Sequence, residues 1–394
     1  MKKQTQAIHL EYERRDAYDS LSVPVYNTLA YEFDNAAVMA EAFTDKIKAP
    51  DYSRVENPTV TNLERRVAAL TDAVHTTAFN SGMAAISNTL MALAAQGKNI
   101  VTSKHLFGNT YALLVATLRR FGVKVRLRDL TNIEAVREAI DDDTCCVFLE
   151  ILTNPQLEVA DLKAISEVAH EKNVPLVVDS TVIPFTQFSA KSLGVDIEVV
   201  SSSKYVSGGA TSLGGLVIDY GTPYNGDFAK RLYGEMLFNF GAYMTPQVAY
   251  MQTIGLETLD ARYRVQSSNA LELAKKLRSL PQIKNVNYVG LEDNPYHELA
   301  QRQFGKTAGA MICIDLESKE ACFSFLNNLK LIHRATNLFD NRSLAIHPAS
   351  TIFGAFSESM RKSMDVKDTT IRLSIGLEDV DDLFEDIKQA VDSL

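Results

Sequence analysis

The sequence predicts an α/β fold: a mostly parallel sheet with helices on both faces, a smaller C-terminal α+β unit and an extended N-terminal arm. Two observations carry this prediction. The middle of the 394-residue chain alternates near-continuous apolar, β-branched runs with runs of helical period, the pattern of strands covered on both faces. Beyond about residue 245 that alternation gives way to one long helical stretch and then to short mixed elements.

Residues 1–50 show no strong periodicity and read as an arm, which at that length is expected to be held by something, such as a partner subunit. Residues 51–245 form the α/β unit. Its strands are expected at 98–104 (KNIVTSK), 123–130 (VKVRLRDL), 145–152 (CCVFLEIL), 174–181 (VPLVVDST), 197–203 (IEVVSSS) and 213–220 (LGGLVIDY). Amphipathic helices are expected between several of them, at 83–96, 133–141 and 162–172. Only glycine-rich residues 207–212 separate the last two strands, too few for a crossover helix, so this pair is expected to be antiparallel. Residues 246–394 form the α+β unit, with a helix over 259–280, a strand in TIRLSIG and a final helix. In that helix Leu383, Phe384, Ile387 and Val391 share one face, and Glu378 and Asp379 suit the positive end of its dipole.

Composition narrows the class of protein. With 46% hydrophobic and 23% charged residues the chain can bury a large core. A net charge of −9 and the lack of a long basic block argue against nucleic acid or an anionic membrane as partner. No run of apolar residues is long enough to span a bilayer, and the start, MKKQTQAIHLEYERRD, has no apolar signal core. Cys145, Cys146, Cys313 and Cys322 lie in strand-like segments, as reduced core cysteines do, so a cytoplasmic protein without a metal site is expected.

Three stretches carry chemistry. Ser81-Gly82-Met83 opens a helix: serine caps it and glycine lets an anion approach the free N–H groups, although a capped helix with no ligand would look the same. Asp179 ends the strand VPLVVD at the carboxyl edge of the sheet, where open α/β sheets bind ligands; a strand-ending aspartate that caps the next helix is its ordinary alternative. Lys204 follows the apolar run IEVV among serines and glycines. Burial would lower its pKa and make it a nucleophile toward carbonyls, whereas a snorkelling edge lysine is the bland alternative. Ser201-x-x-Lys204 also matches the S-x-x-K of serine acyl enzymes, with a faint echo of K-T-G in GKTAG (305–309). S-D-N is absent, however, and S-x-x-K should open a helix. Together, an anion-binding helix start, a strand-end carboxylate and a sheet-edge lysine about 25 residues later are what pyridoxal 5′-phosphate requires.

Seven motifs then coincide in order: YSRVENPTVTNLERRVAAL, SGMAAI, LFGNTY, VVDST, SSSKYVSGG, IHPAS and IRLSIGLEDVDDL. With them the chain resembles the pyridoxal-phosphate enzymes of cysteine and methionine metabolism (trans-sulfuration enzymes, fold type I, aspartate-aminotransferase-like), over nearly its whole length. The resemblance implies that Lys204 carries the cofactor and then shuttles protons between Cα, Cβ and C4′. It implies that Asp179 pairs with the pyridine nitrogen, with Thr181 beside the ring, and that Phe107 stacks on the ring. Ser81, Gly82, Met83, Ser201 and Ser203 would hold the phosphate, and Tyr52 and Arg54 would cross to the phosphate of a neighbouring subunit. Arg372 would clamp the substrate α-carboxylate through a bidentate pair, with Glu150, Asn154 and Asn337 lining the substrate site. A homodimer of shared active sites, assembled as a homotetramer, is implied as well.

Three departures from the family pattern stand out. Phe107 occupies a position where tyrosine is usual, so stacking survives but a phenol is lost. Asp179-Ser180-Thr181 replaces Asp-Asn-Thr. Phe339 stands where many members have glycine, and a bulky side chain there is expected to narrow the substrate pocket. AYEFDNAAVMAEAF, LERRVAAL and Asn337 ahead of RSLAIHPAS are most similar to O-acetylhomoserine sulfhydrylases, which exchange a γ-substituent for sulfide or methanethiol. The chain length is closer to that of lyases, so methionine γ-lyase or cystathionine lyase stands as the alternative.

Overall fold

Short runs of Val, Ile and Leu pair into a seven-stranded sheet in the computed structural model, which describes residues 1–10, 16–44 and 46–394. The strands are β1 (His75–Phe79), β2 (Asn99–Thr102), β3 (Lys124–Leu127), β4 (Thr144–Glu150), β5 (Leu176–Asp179), β6 (Ile197–Val200) and β7 (Gly215–Asp219). Their spatial order is β1-β7-β6-β5-β4-β2-β3. Strands β2 to β6 pair in parallel, and β7 runs antiparallel to both β6 and β1. The antiparallel pairing read from the short 207–212 connection is therefore present. The strands are shorter than their apolar runs. In β6 the ladder stops at Val200, where three serines begin, and frees Ser201 and Ser203 to line a cavity at the carboxyl edge of the sheet, while Ser202 is buried.

Strand β1 was not among the expected strands. Its sequence, HTTAF, offers one exposed histidine and two threonines where an apolar run would signal a strand, and it is strand only because β7 pairs with it. The expected helices are present as Gly82–Leu93, Ile133–Ala139, Leu162–His170 and Leu259–Leu277. The last helix, Val380–Val391, has Leu383, Ile387 and Val391 fully buried, and Asp379 caps it by accepting from the Asp381 N–H.

A second sheet contains β8 (Asn285–Asn287), β9 (Met311–Asp315), β10 (Leu344–Ile346) and β11 (Thr370–Ser374), all antiparallel in the order β10-β11-β9-β8. Strand β11 brings its third residue, Arg372, opposite Cys313 of β9 and Ile346 of β10.

The first fifty residues hold two short helices, Lys3–His9 and Ala36–Ala42, that periodicity did not signal. The first packs back on the chain: Ala7 is buried, its carbonyl accepts from Arg66 at 2.7 Å, and Lys3 Nζ donates to the Phe188 carbonyl at 3.0 Å. The segment between them follows the start of helix Pro58–Thr71, with Thr59 donating to the Pro24 carbonyl and Asn57 to that of Tyr26. Residues 11–15 and 45 of the expected arm lie outside the described residues. Among the described residues no helix is long and apolar enough to cross a membrane.

Candidate active site

The carboxyl ends of β4, β5 and β6, the start of helix Gly82–Leu93 and Arg372 of β11 in the second sheet help enclose a cavity of about 510 Å³. Its wall contains Ser81, Gly82, Met83, Phe107, Glu150, Asn154, Asp179, Thr181, Ser201, Ser203, Lys204, Asn337 and Arg372. Of the expected site residues, only Tyr52 and Arg54 lie elsewhere. Tyr52 is 40% exposed, and Arg54 donates to the Phe238 carbonyl at 2.5 Å with its guanidinium 5.5 Å from the Tyr52 ring centre.

At one end, Ser81 caps helix Gly82–Leu93 by accepting from the Ala84 N–H at 3.1 Å, which leaves the N–H groups of Gly82 and Met83 without intrahelical acceptors. A Cβ on residue 82 would sit 2.6 Å from Ser201 Cβ and 2.7 Å from its Oγ, so only glycine lets the β6 end approach the helix start. The Ser201 N–H is fixed by Thr181 Oγ1 at 2.8 Å, while its hydroxyl makes no hydrogen bond among the described residues. Ser203 is engaged differently. Its hydroxyl donates to the Gly214 carbonyl at 3.1 Å and accepts from the Gly214 N–H at 2.9 Å, so its single proton is already committed.

In the middle, Asp179 accepts from the Thr181 N–H at 2.9 Å. Burial raises its pKa, against the Thr181 bonds and the Lys204 charge. Glu150 stands beside it in the parallel register and accepts from the Phe107 N–H at 2.5 Å. Burial, then the Asp179 charge, pushes Glu150 up to about 8. Ser180 points away from the cavity: it is buried and donates to Glu198, which also accepts from the Tyr220 hydroxyl at 2.6 Å.

At the far end Lys204 Nζ donates to Asn337 Oδ1 at 3.0 Å. Burial, then the nearby Arg372 charge, holds the amine below the ordinary lysine value, with Asp179 acting the other way. Arg372 is 3% exposed, and the acceptors recorded for it are neutral: Asn154 Oδ1 at 3.2 Å and the Asn337 carbonyl at 3.1 Å. Its Nε has no partner, and burial pulls its pKa down to about 10. A buried guanidinium in this state lacks a carboxylate.

Phe339 does not narrow the cavity. It adopts φ 58°, is fully buried, and stacks on Tyr205 with ring centres 4.0 Å apart. The left-handed backbone turns the side chain into the core and leaves its neighbours Thr336 and Leu338 on the wall. The sequence reading also missed Ile86, Val182, the exposed Leu213, Thr351 and Ile352. Ile86 ends the motif SGMAAI, Val182 and Thr351 adjoin recognised motifs, and Leu213 begins an expected strand, but none of these signals says that the side chain reaches the cavity.

The donor set fits pyridoxal phosphate. A lysine amine, a strand-end carboxylate without a bound cation, and a helix start with free N–H groups beside a free hydroxyl converge on one cavity. Fold and site together define an enzyme of the fold type I pyridoxal-phosphate class. The chain belongs to the Cys/Met metabolism PLP-dependent enzyme family, whose model matches residues 4–392. It is 37% identical over 394 residues to an L-methionine gamma-lyase of Fusobacterium nucleatum subsp. polymorphum, covering 99% of this chain and 98% of that one. It is 31% identical to the O-acetyl-L-homoserine sulfhydrylase of Corynebacterium glutamicum, covering 98% and 95%. A Campylobacter jejuni structure, provisionally named an O-acetylhomoserine (thiol)-lyase, superposes with a TM-score of 0.95 at 34% identity over all of both chains. That structure contains N′-pyridoxyl-lysine-5′-monophosphate.

Proposed function

We propose that this enzyme catalyses γ-replacement on O-acetyl-L-homoserine, with sulfide or methanethiol entering and acetate leaving. Phe107 carries this reading. Among the described residues the wall that one chain provides has no tyrosine, cysteine or histidine, so within the chain no phenol, thiol or imidazole replaces the one absent at Phe107 for protonating a leaving group. Acetate departs as a weak base and needs no such proton. A thiolate, whose conjugate acid has a pKa about four units above that of a carboxylic acid, gains far more from one. Asn337 and the NRSLAIHPAS segment that follows it in the sequence also favour the sulfhydrylase reading.

Pyridoxal phosphate, when bound, supplies the electron sink that acidifies Cα and Cβ of the amino acid. The chain's own residues then have separate tasks. The Gly82 and Met83 N–H groups and the Ser201 hydroxyl hold the phosphate, and Asp179 holds positive charge on the pyridine nitrogen. Ser203 joins them only by releasing Gly214. Arg372 holds the substrate α-carboxylate, with Asn154 beside it. Lys204, its ammonium form disfavoured by burial, takes the proton from Cα and returns it further along the chain. The apolar wall of Ile86, Val182, Leu213, Leu338 and Ile352 excludes water and admits a small thiol. Tyr52 and Arg54, away from their own cavity, serve the phosphate of a neighbouring subunit.

Elimination from L-methionine is the second reading, favoured by the 37% identity to an enzyme of that name. Purified holoenzyme given O-acetyl-L-homoserine and sulfide is expected to form homocysteine. Release of 2-oxobutanoate and ammonia from L-methionine, without homocysteine in the first assay, would overturn the proposal in favour of the second reading.

A further inference from the structure

Beside the cavity, His105 ties the segments around the two sheets together. Its Nδ1 lies 2.5 Å from Glu158 Oε2 and its Nε2 lies 2.8 Å from Asp365 Oδ2, while Lys104 Nζ reaches the same Asp365 oxygen at 2.6 Å. The imidazole is buried. A neutral imidazole offers one donor and one acceptor, so only the protonated ring satisfies both carboxylates. Burial opposes that charge, but Glu158 and then Asp365 outweigh it and raise the pKa; Lys104, on the same loop, acts against them. Of the other charged and titratable groups nearby, Lys367 pairs with Asp315 at 3.1 Å, and the Tyr296 phenol faces the Glu158 charge.

Each anchor lies on a segment that leads to a residue of the cavity wall. His105 stands two residues before Phe107, whose N–H holds Glu150. Glu158 closes the turn that contains Asn154, with its N–H bound to Thr153 Oγ1 at 3.0 Å. Asp365 precedes β11, which carries Arg372. It adopts φ 55°, a left-handed conformation that glycine, asparagine and aspartate tolerate best, so the turn itself does not call for a carboxylate. Gln156 adds a second tie across the same seam, donating to the Met364 carbonyl at 2.7 Å.

We propose that His105, gripped by Glu158 and Asp365, is a positioning residue for amino-acid binding. It holds the segment leading to Arg372 against the Phe107 loop and so sets the distance between the carboxylate clamp and the cofactor side of the cavity. The proposal rests on Arg372 holding the α-carboxylate and is independent of which γ-substituent is exchanged. Releasing the grip leaves Lys204 in place but loosens Arg372, so it weakens capture of the amino acid more than it slows proton transfer.

The test compares holoenzyme of wild type, Asp365→Asn, His105→Gln and Arg372→Lys, using O-acetyl-L-homoserine with sulfide, or L-methionine where that is the substrate turned over. Asparagine tolerates the left-handed backbone, so Asp365→Asn removes the charge without straining the turn. KM for the amino acid is expected to rise about 5- to 10-fold in Asp365→Asn and in His105→Gln with kcat within about 2-fold, and the double variant should be little worse than either. Amide hydrogen exchange over residues 364–370 is expected to accelerate in both. The wild-type KM should rise with pH as His105 deprotonates, and that rise should move to lower pH in Asp365→Asn. An unchanged KM in both variants while Arg372→Lys raises it overturns the clamp alone. A fall in kcat without a change in KM marks a merely structural role and also overturns it. An unchanged KM in Arg372→Lys overturns the carboxylate assignment and the clamp with it.

Discussion

The Lys204 amine donates to Asn337 Oδ1 at 3.0 Å, and the carbonyl of the same asparagine accepts from Arg372 at 3.1 Å. Asn337 thus fixes the spacing between the group that moves the proton and the group that holds the carboxylate. Asn337→Ala keeps the carbonyl and removes the amide, so Arg372 stays anchored while the amine loses its orientation. A fall in kcat of about 10- to 100-fold with a smaller change in KM is expected from steady-state kinetics.

Gly82→Ala tests the phosphate seat. The added methyl would lie 2.6 Å from Ser201 Cβ, closer than real contacts allow, and the helix start must move from the β6 end. Titration of cofactor-free protein with pyridoxal phosphate should show affinity reduced by at least about 10-fold, the scale of one lost charge-assisted contact. Unchanged affinity would mean that the phosphate sits elsewhere.

Glu150 gives a pH signature. Its pKa stands at about 8 in the folded chain against an ordinary 4.5, so between those values the folded state holds a proton that the unfolded state has lost. Stability from this group therefore falls as pH rises through that window and is fully lost above about 8. Glu150→Gln lacks that slope and can still accept from the Phe107 N–H. In thermal melts the variant's midpoint should gain on wild type from pH 5 to pH 8, and a gap that does not change with pH would contradict the burial argument.

Phe339 should matter to stability and not to substrate choice. Fully buried and stacked on Tyr205, it is absent from the cavity wall. Phe339→Ala is expected to cost about 3–5 kcal/mol, since alanine loses the buried ring yet keeps the Cβ that strains the left-handed backbone at φ 58°. Denaturant titration measures the cost, and the ratio of kcat/KM for short and long acyl esters of homoserine should be unchanged.

The parts that could be read in advance were those written in local pattern. Lys204 was legible because a lysine ending an apolar strand run calls for a reason, and Asp179 because a carboxylate ended a run of Val and Leu. The parallel sheet was legible from strands that must be buried on both faces. Strand β1 was not, since HTTAF is a strand only by pairing with β7. Phe339 was misread because the direction of its side chain depends on a left-handed φ that no neighbouring residue announces. The His105–Asp365 contact joins residues 260 positions apart, and Leu213 reaches the cavity from a loop, so both are products of tertiary packing.

The central claim is replacement at Cγ, and one measurement bears on it most directly. A single preparation of holoenzyme is assayed for homocysteine from O-acetyl-L-homoserine plus sulfide and, separately, for 2-oxobutanoate from L-methionine. The account predicts that kcat/KM for replacement exceeds that for elimination by about 100-fold or more, as expected where no phenol, thiol or imidazole of the chain's own wall assists a thiolate leaving group. Elimination from L-methionine that equals or outpaces replacement would contradict it.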